Sequence, residues 1–144
     1  MRVLLGLVVV LALFPSAAEA KTIPGFRSPS KNITCLLVSD KPELVNCEIA
    51  QADYKAKLTH YCGSAPFGVD WGGFSLGRSG KGGVVCTGGT LYDPGTEHPH
   101  YVVLAYGTKW KQGTLSCDSE TIGVTCTNGH GHGIFVSRAS YKLW

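Results

Sequence analysis

Six cysteines that follow an export-type leader constrain the fold of this chain more than any other feature. The N-terminal segment combines Arg2 with an apolar run over residues 3–14 and small residues at positions 18 and 20. This order is typical of a secretory signal peptide, so we expect cleavage between Ala20 and Lys21. The run is too short to anchor the chain in a bilayer. Because secreted and periplasmic chains meet an oxidising environment, the cysteines are expected to form disulfides.

The predicted mature chain, residues 21–144, has the length of a single disulfide-bonded β domain. A chain of this size buries only a modest core, so cross-links would support it. Its formal charge of +3 is spread over dispersed lysines and arginines. Because nucleic-acid binding needs a clustered basic face, no nucleic-acid partner is expected. No second long apolar segment and no cofactor motif are present, so we expect neither a membrane span nor a cofactor.

Short β-type segments between turn residues predict an all-β, antiparallel, hairpin-rich fold, either a small barrel or a sandwich. The segments are residues 32–38, 44–47, 83–87, 101–106, 123–127 and 134–137. The best helical candidate is Ile49–Leu58, which has Ala50, Tyr54 and Leu58 at four-residue spacing. The glycine-rich segment Gly77–Gly83 is interpreted as a hairpin tip, since β-type residues follow it.

A Val-x-Cys tripeptide recurs about every 40 residues, at Val45–Cys47, Val84–Cys86 and Val124–Cys126. One interpretation is a pseudo-threefold arrangement of similar units. The alternative is a likeness between two hairpins only, because the first and third copies each follow an earlier cysteine across a polar turn. In each tripeptide the valine and the cysteine would share one face of a strand.

The hairpin interpretation predicts how the cysteines pair. A cysteine on each arm of a hairpin predicts Cys35–Cys47 and Cys117–Cys126, which leaves Cys62–Cys86 by elimination. Six cysteines allow fifteen pairings, so sequence alone leaves the connectivity open. No Cys-x-x-Cys motif is present, which argues against a thioredoxin-type redox site.

Two His-x-His motifs are the sharpest chemical signal in the chain. They are His98/His100 and His130/His132. On a strand, residues i and i+2 point to one face, where two imidazoles can bind one Zn²⁺ or Cu²⁺. Both pairs lie in segments rich in glycine or proline, however, and incidental histidines in polar loops are the alternative.

Aromatic and polar residues near predicted turns are the candidates for a binding surface. The alternative is structural, with the aromatic residues filling the core and the arginine pairing with a carboxylate. The candidate binding residues are Asp70, Trp71, Asn128, His132, Arg138 and Tyr141.

Several segments in this order resemble a known family. They are Phe26–Cys35 (FRSPSKNITC), Asp70–Gly72, Val103–Gly107 and, at the end, Gly131–Tyr141 (GHGIFVSRASY). Together they resemble a family of small secreted bacterial proteins classed as a domain of unknown function. The resemblance includes His132 but neither His130 nor the His98/His100 pair. It implies export and supports the fold class, and it implies no activity.

Our leading hypothesis is an exported, non-enzymatic binding or interaction module for a cell-envelope component or a protein. One alternative is a metal-binding protein that uses His130 and His132, with His98 and His100. Another is a small cell-wall hydrolase, which would need Asp70 or Asp118 close to His132.

Overall fold

The structure is a computed structural model that describes residues 24–64, 69–87 and 101–144. Within these ranges, strands form two sheets that pack face to face, and one short helix connects two neighbouring strands of the first sheet. The elements are β1 (Gly25–Arg27), β2 (Ile33–Asp40), β3 (Glu43–Ile49), α1 (Lys55–Gly63), β4 (Asp70–Gly77), β5 (Gly83–Thr87), β6 (Val102–Val103), β7 (Lys109–Gln112), β8 (Leu115–Glu120), β9 (Gly123–Thr127), β10 (Gly133–Val136) and β11 (Tyr141–Leu143).

The strand order shows an open sandwich. The first sheet runs β5-β4-β3-β2-β1-β6 and the second runs β11-β10-β9-β8-β7. Neighbouring strands are antiparallel except β1 and β6, which are parallel. The predicted all-β class and the sandwich alternative are therefore confirmed. The barrel alternative is wrong, because the described edge strands of one sheet do not pair with those of the other.

Two similar hairpins, one in each sheet, face each other across the core. Cys35 lies directly opposite Cys47 on β2 and β3, and Cys117 lies directly opposite Cys126 on β8 and β9. Both pairs form disulfides. The Cys126 sulfur lies within 4.8 Å of the sulfurs of Cys35 and Cys47, so the two disulfides stack in the centre of the sandwich.

The third disulfide has a different setting, and it explains why the tripeptide repeat is not threefold. Cys86 on β5 bonds to Cys62, which lies on α1 and not on a neighbouring strand. Two copies of the tripeptide therefore lie in hairpins that have a cysteine on each arm. The remaining copy contributes Cys86, which fastens the helix to the edge of the first sheet.

The helix begins and ends later than the sequence predicts. Ile49 is the last residue of β3, where it pairs with Ile33 and is buried. The helix starts only at Lys55, after the Asp53 N–H has donated to the Arg138 carbonyl at 2.9 Å. The prediction of Ile49–Leu58 is therefore wrong in its first half, because burial of Ile49 in the sheet outweighs the local helical spacing.

Two other segments also differ from the predicted strands. The predicted run 101–106 is a strand only at Val102–Val103, after which the chain crosses to the second sheet. The Ser119 hydroxyl and N–H then bond to the Leu104 and Thr108 carbonyls. Conversely, the glycine-rich segment 70–77 is strand β4, with a bulge at Gly72 and Gly73. At Gly73, which has φ +107°, a side chain would collide with the Cys47 carbonyl.

The loops of the sandwich gather at its two ends because successive strands run in opposite directions. We call one end the hairpin-tip end; it comprises residues 40–43, 77–83, 112–115 and 128–133. We call the other the helix end; it comprises residues 50–64, 104–108, 120–123 and 137–140. The predicted hairpin tip at Gly77–Gly83 is confirmed as the connection of β4 to β5. No helix within the described ranges is long and apolar enough to cross a membrane.

Candidate functional site

The structure divides the predicted binding residues between the two ends. Asn128 and His132 belong to the hairpin-tip end, in the turn between β9 and β10. The other four lie toward the helix end, around the start of β4 and the turn from β10 to β11. The eight residues of β4, at a strand rise of about 3.3 Å, separate Asp70 from the hairpin tips by about 23 Å. Asp70 and His132 therefore do not form the acid–base pair of the hydrolase alternative.

Trp71 and Tyr141 belong to an aromatic cluster between the sheets. Trp71 packs against Phe74 with ring centroids 5.4 Å apart, and Phe74 packs against Tyr141 at 4.7 Å. The Trp71 indole N–H donates to the Gly73 carbonyl at 2.8 Å, so its one polar group is satisfied inside the protein. Both residues serve the core in this arrangement.

Tyr54 completes the aromatic cluster, although sequence analysis did not select it as a site residue. Its ring contacts Trp71 at 5.7 Å and Tyr141 at 4.9 Å. Its hydroxyl donates to the Ser137 carbonyl at 2.8 Å, which joins the chain before α1 to the second sheet. Burial, followed by the nearby Tyr141 and Asp53, raises the pKa of Tyr54 well above its ordinary value.

Asp70 and Arg138 are exposed residues on the rim of the helix end. Arg138 pairs with Asp53, with 3.4 Å between its Nε and the carboxylate Oδ1. Both side chains are more than half exposed, so the pair is a surface ion pair. Asp70 is the first residue of β4, opposite Thr87 on β5.

Asn128 organises the hairpin-tip end. Its side-chain NH₂ donates to the carbonyls of Gly77 and Gly80, at 2.9 and 3.0 Å. Its side-chain oxygen accepts the backbone N–H groups of His130 and His132, at 3.0 and 3.2 Å. The side chain is buried and fully satisfied, so it fixes one hairpin tip of each sheet against the other.

The His130/His132 pair lies on the turn that Asn128 holds. His130 is exposed and His132 is half-buried. In the part of the chain that the structure describes, the metal-ligating side chains that cluster in threes are Cys35, Cys47 and Cys126, and disulfides occupy all of these. His98 and His100, the other predicted pair, lie outside the described residues.

A cleft opens beside this turn, between the β2–β3 and β4–β5 tips. Its volume is about 330 Å³ and it is open to solvent. The lining residues are Ser39, Pro42, Glu43, Leu44, Arg78 and Ser79. None was predicted as a site residue, because no local motif marks them. Glu43 and Arg78 meet only through pairing of β3 with β4, in which Leu44 lies opposite Gly77.

Glu43 and Arg78 carry the charges of the cleft. The Arg78 Nε lies 3.9 Å from Glu43 Oε2, which is longer than the 2.7–2.9 Å or so of a charge-assisted hydrogen bond. The Arg78 N–H donates to the Glu43 carbonyl at 3.0 Å and so fixes the two backbones. Gly113, in the β7–β8 turn, leaves room for the Glu43 carboxylate, which a side chain there would strike. The Glu43 side chain is therefore mostly buried, whereas the Arg78 side chain remains half exposed.

The sequence as a whole matches one family. The family model "Family of unknown function (DUF6636)" matches residues 5–144. The chain belongs to this family. This confirms the resemblance to a domain of unknown function, and the family assigns no activity. The chain matches none of the curated proteins and none of the solved structures with which it was compared.

Proposed function

We propose that the protein is an exported, non-enzymatic binding module that uses its hairpin-tip end to hold a component of the cell envelope. The observation that carries this proposal is the way in which Asn128 joins the turns of both sheets beside an open cleft. Binding residues are commonly placed on loops that a rigid scaffold positions. The buried Asn128 side chain, whose donors and acceptor all have partners, fixes these loops to the two sheets.

The disulfides support the exported location. Three disulfides in a domain of this size indicate that the chain folds in an oxidising environment, such as the periplasm or the exterior of the cell. The leader pattern over residues 1–20 agrees with this placement. A binding module in that location would meet envelope polymers before any cytosolic molecule.

The helix end offers a weaker case for ligand binding. The rings of its buried cluster, which are Tyr54, Trp71, Phe74 and Tyr141, pack against one another, and the polar groups of Trp71 and Tyr54 bond to backbone carbonyls. A ligand would have to displace these contacts before the rings could stack on it. The hairpin-tip end presents polar groups that already face solvent, so binding there costs less rearrangement.

A titration that reports on both ends tests the proposal. The exported chain, purified with its disulfides intact and ¹⁵N-labelled, would be titrated with solubilised fragments of the host's own envelope polysaccharides. We expect amide shifts at residues 78–81 and 129–132. The variant Lys81→Ser should weaken binding, whereas the matched variant Lys57→Ser, on the exposed face of α1, should not. Shifts confined to residues 50–64, or no binding to any envelope fragment, would overturn the proposal.

Metal binding by His130 and His132 is a second candidate function. The favouring observation is that Asn128 accepts the N–H groups of both residues and so fixes their backbone in one turn. Calorimetric titration with Zn²⁺ should then show binding that His132→Ala removes and His60→Ala, at the exposed end of α1, preserves. Equal stoichiometry in both variants would exclude this site.

A further inference from the structure

The cleft between the β2–β3 and β4–β5 tips has a composition that points to one class of ligand. We infer that it binds a neutral saccharide unit of a glycan through the hydroxyl groups of the sugar. This inference rests on the proposed function, since it names the ligand class of the same end of the molecule. The juxtaposition of Glu43 with Arg78 carries it.

The hydrogen-bonding groups of the cleft match a vicinal diol. A carboxylate only accepts hydrogen bonds and a guanidinium only donates them, whereas a sugar hydroxyl does both. Because 3.9 Å separates Glu43 from Arg78 without a close hydrogen bond, both groups keep capacity for a ligand. One hydroxyl can donate to Glu43 while its neighbour accepts from Arg78. Ser39 and Ser79 add hydroxyls that can serve in either direction.

The charge of the cleft favours a neutral ligand over a charged one. Its lining contains one carboxylate and one guanidinium, so its formal charges cancel. An anionic ligand that bonded to Arg78 would lie against Glu43, and a cationic ligand at Glu43 would lie against Arg78. Like charges at such distances repel. A neutral unit satisfies both groups without that repulsion.

The shape of the cleft agrees with a single sugar unit. Its volume of about 330 Å³ lies at the lower end of the range of roughly 300–1,000 Å³ that ligand pockets occupy. Pro42 and Leu44 supply an apolar wall on which the C–H face of a sugar ring can pack. Because the cleft is open to solvent, the chain of a glycan can continue out of it.

A matched set of tetrasaccharides tests the inference. The exported, disulfide-intact chain would be titrated with N-acetylated chitotetraose, with its de-acetylated cationic counterpart and with anionic tetragalacturonate. We expect the neutral tetramer to bind at least about tenfold more tightly than either charged one. Arg78→Ala should weaken that binding by about tenfold or more, the usual effect of losing a hydrogen bond to a charged group.

Two further variants separate charge from shape. Glu43→Gln keeps the size of the side chain but leaves the cleft positive, so we expect weaker binding of the neutral tetramer and tighter binding of tetragalacturonate. Lys57→Ala, on the exposed face of α1 at the other end of the molecule, should leave the neutral tetramer's affinity unchanged. Thermal unfolding of each variant would verify that the fold is intact. Cellotetraose, a neutral tetramer without acetyl groups, would serve as a second neutral probe. Its binding would show that the cleft does not recognise the acetyl groups alone.

The outcomes distinguish this inference from the proposed function. If envelope fragments shift residues 78–81 and 129–132 but no neutral tetramer binds, the saccharide inference is overturned and the binding module stands. A preference for tetragalacturonate in the unmodified chain has the same meaning. If neutral tetramers bind but shift only residues 50–64, both proposals fail.

Discussion

The two ends of the sandwich differ in what their side chains do. At the helix end, Trp71, Phe74 and Tyr141 pack with Tyr54 between the sheets, and the polar groups of Trp71 and Tyr54 bond to backbone carbonyls. At the hairpin-tip end, one buried amide, Asn128, holds the backbone, while charged and polar side chains face solvent around a cleft. One end derives its order from burial of rings and the other from hydrogen bonds.

This difference shows why residue type is a poor guide to the site. Aromatic residues attract attention as binding residues, yet the two predicted ones, Trp71 and Tyr141, belong to the buried cluster of the helix end. The cleft at the other end is lined by no aromatic residue and by one ion pair, and its half-exposed Arg78 is more accessible than the polar groups of that cluster. Accessibility, and not the identity of the side chains, separates the cleft from the aromatic cluster.

Removal of a ring from the aromatic cluster should give the largest effect. Phe74 is fully buried and contacts three other rings. Phe74→Ala should therefore lower the free energy of unfolding by about 3–5 kcal/mol, measured by urea denaturation with the disulfides intact. Tyr61→Ala, on the exposed face of the same end, should change it by less than about 0.5 kcal/mol. Equal losses would show that the helix end is not ordered by ring burial.

Loss of the Asn128 side chain should have the next largest effect. Asn128→Ala leaves two carbonyls and two N–H groups without their partner, and we expect a loss of about 2 kcal/mol. Amide hydrogen exchange of His130 and His132 should accelerate, whereas exchange on α1 should not. His130→Ala is the matched control in the same turn. If amide exchange of His130 and His132 were unchanged in Asn128→Ala, the hydrogen bonds of Asn128 would not be what orders the hairpin-tip end.

Removal of the Tyr54 hydroxyl should cost less and should also change the alkaline pH dependence. Tyr54→Phe loses the bond to the Ser137 carbonyl, which is worth about 1 kcal/mol. The raised pKa of Tyr54 means that, above its ordinary value of about 10, the unfolded chain releases this proton before the folded one does. The stability that the raised pKa provides is complete below pH 10 and is lost as the pH rises beyond it. Denaturation from pH 8 to 11 should therefore show a smaller alkaline loss in Tyr54→Phe than in the parent or in Tyr61→Phe.

The exposed ion pair at the rim should give the smallest effect. Arg138→Gln removes a contact between two side chains that are each more than half exposed. We expect a change of less than about 0.5 kcal/mol in the free energy of unfolding. A double-mutant cycle with Asp53→Asn would measure the pair alone. A coupling free energy above about 1 kcal/mol would show that this ion pair stabilises the helix end more than an exposed pair normally does.

Local patterns predicted the fold class well and the site poorly. The β-type runs, the turn glycines and the cysteine spacing of the two hairpins all depend on neighbours within a few residues, so they are readable in the sequence. The aromatic cluster was anticipated only as an alternative. The alternation of polar and apolar residues along a strand does not reveal which aromatic rings contact each other between the two sheets. The cleft was missed, because Glu43 and Arg78 meet through strand pairing.

The sequence by itself therefore determined the all-β character, the disulfide-bearing hairpins and the hairpin tip at Gly77–Gly83, since each follows from short-range geometry. Only the tertiary structure decided that the two hairpin disulfides stack, that Trp71 and Tyr141 are core residues, and that Glu43 and Arg78 share a cleft. The physical reason is that packing of one sheet on another, and the register of strands distant in sequence, arise from the sum of many weak contacts. No single segment of the chain encodes that sum.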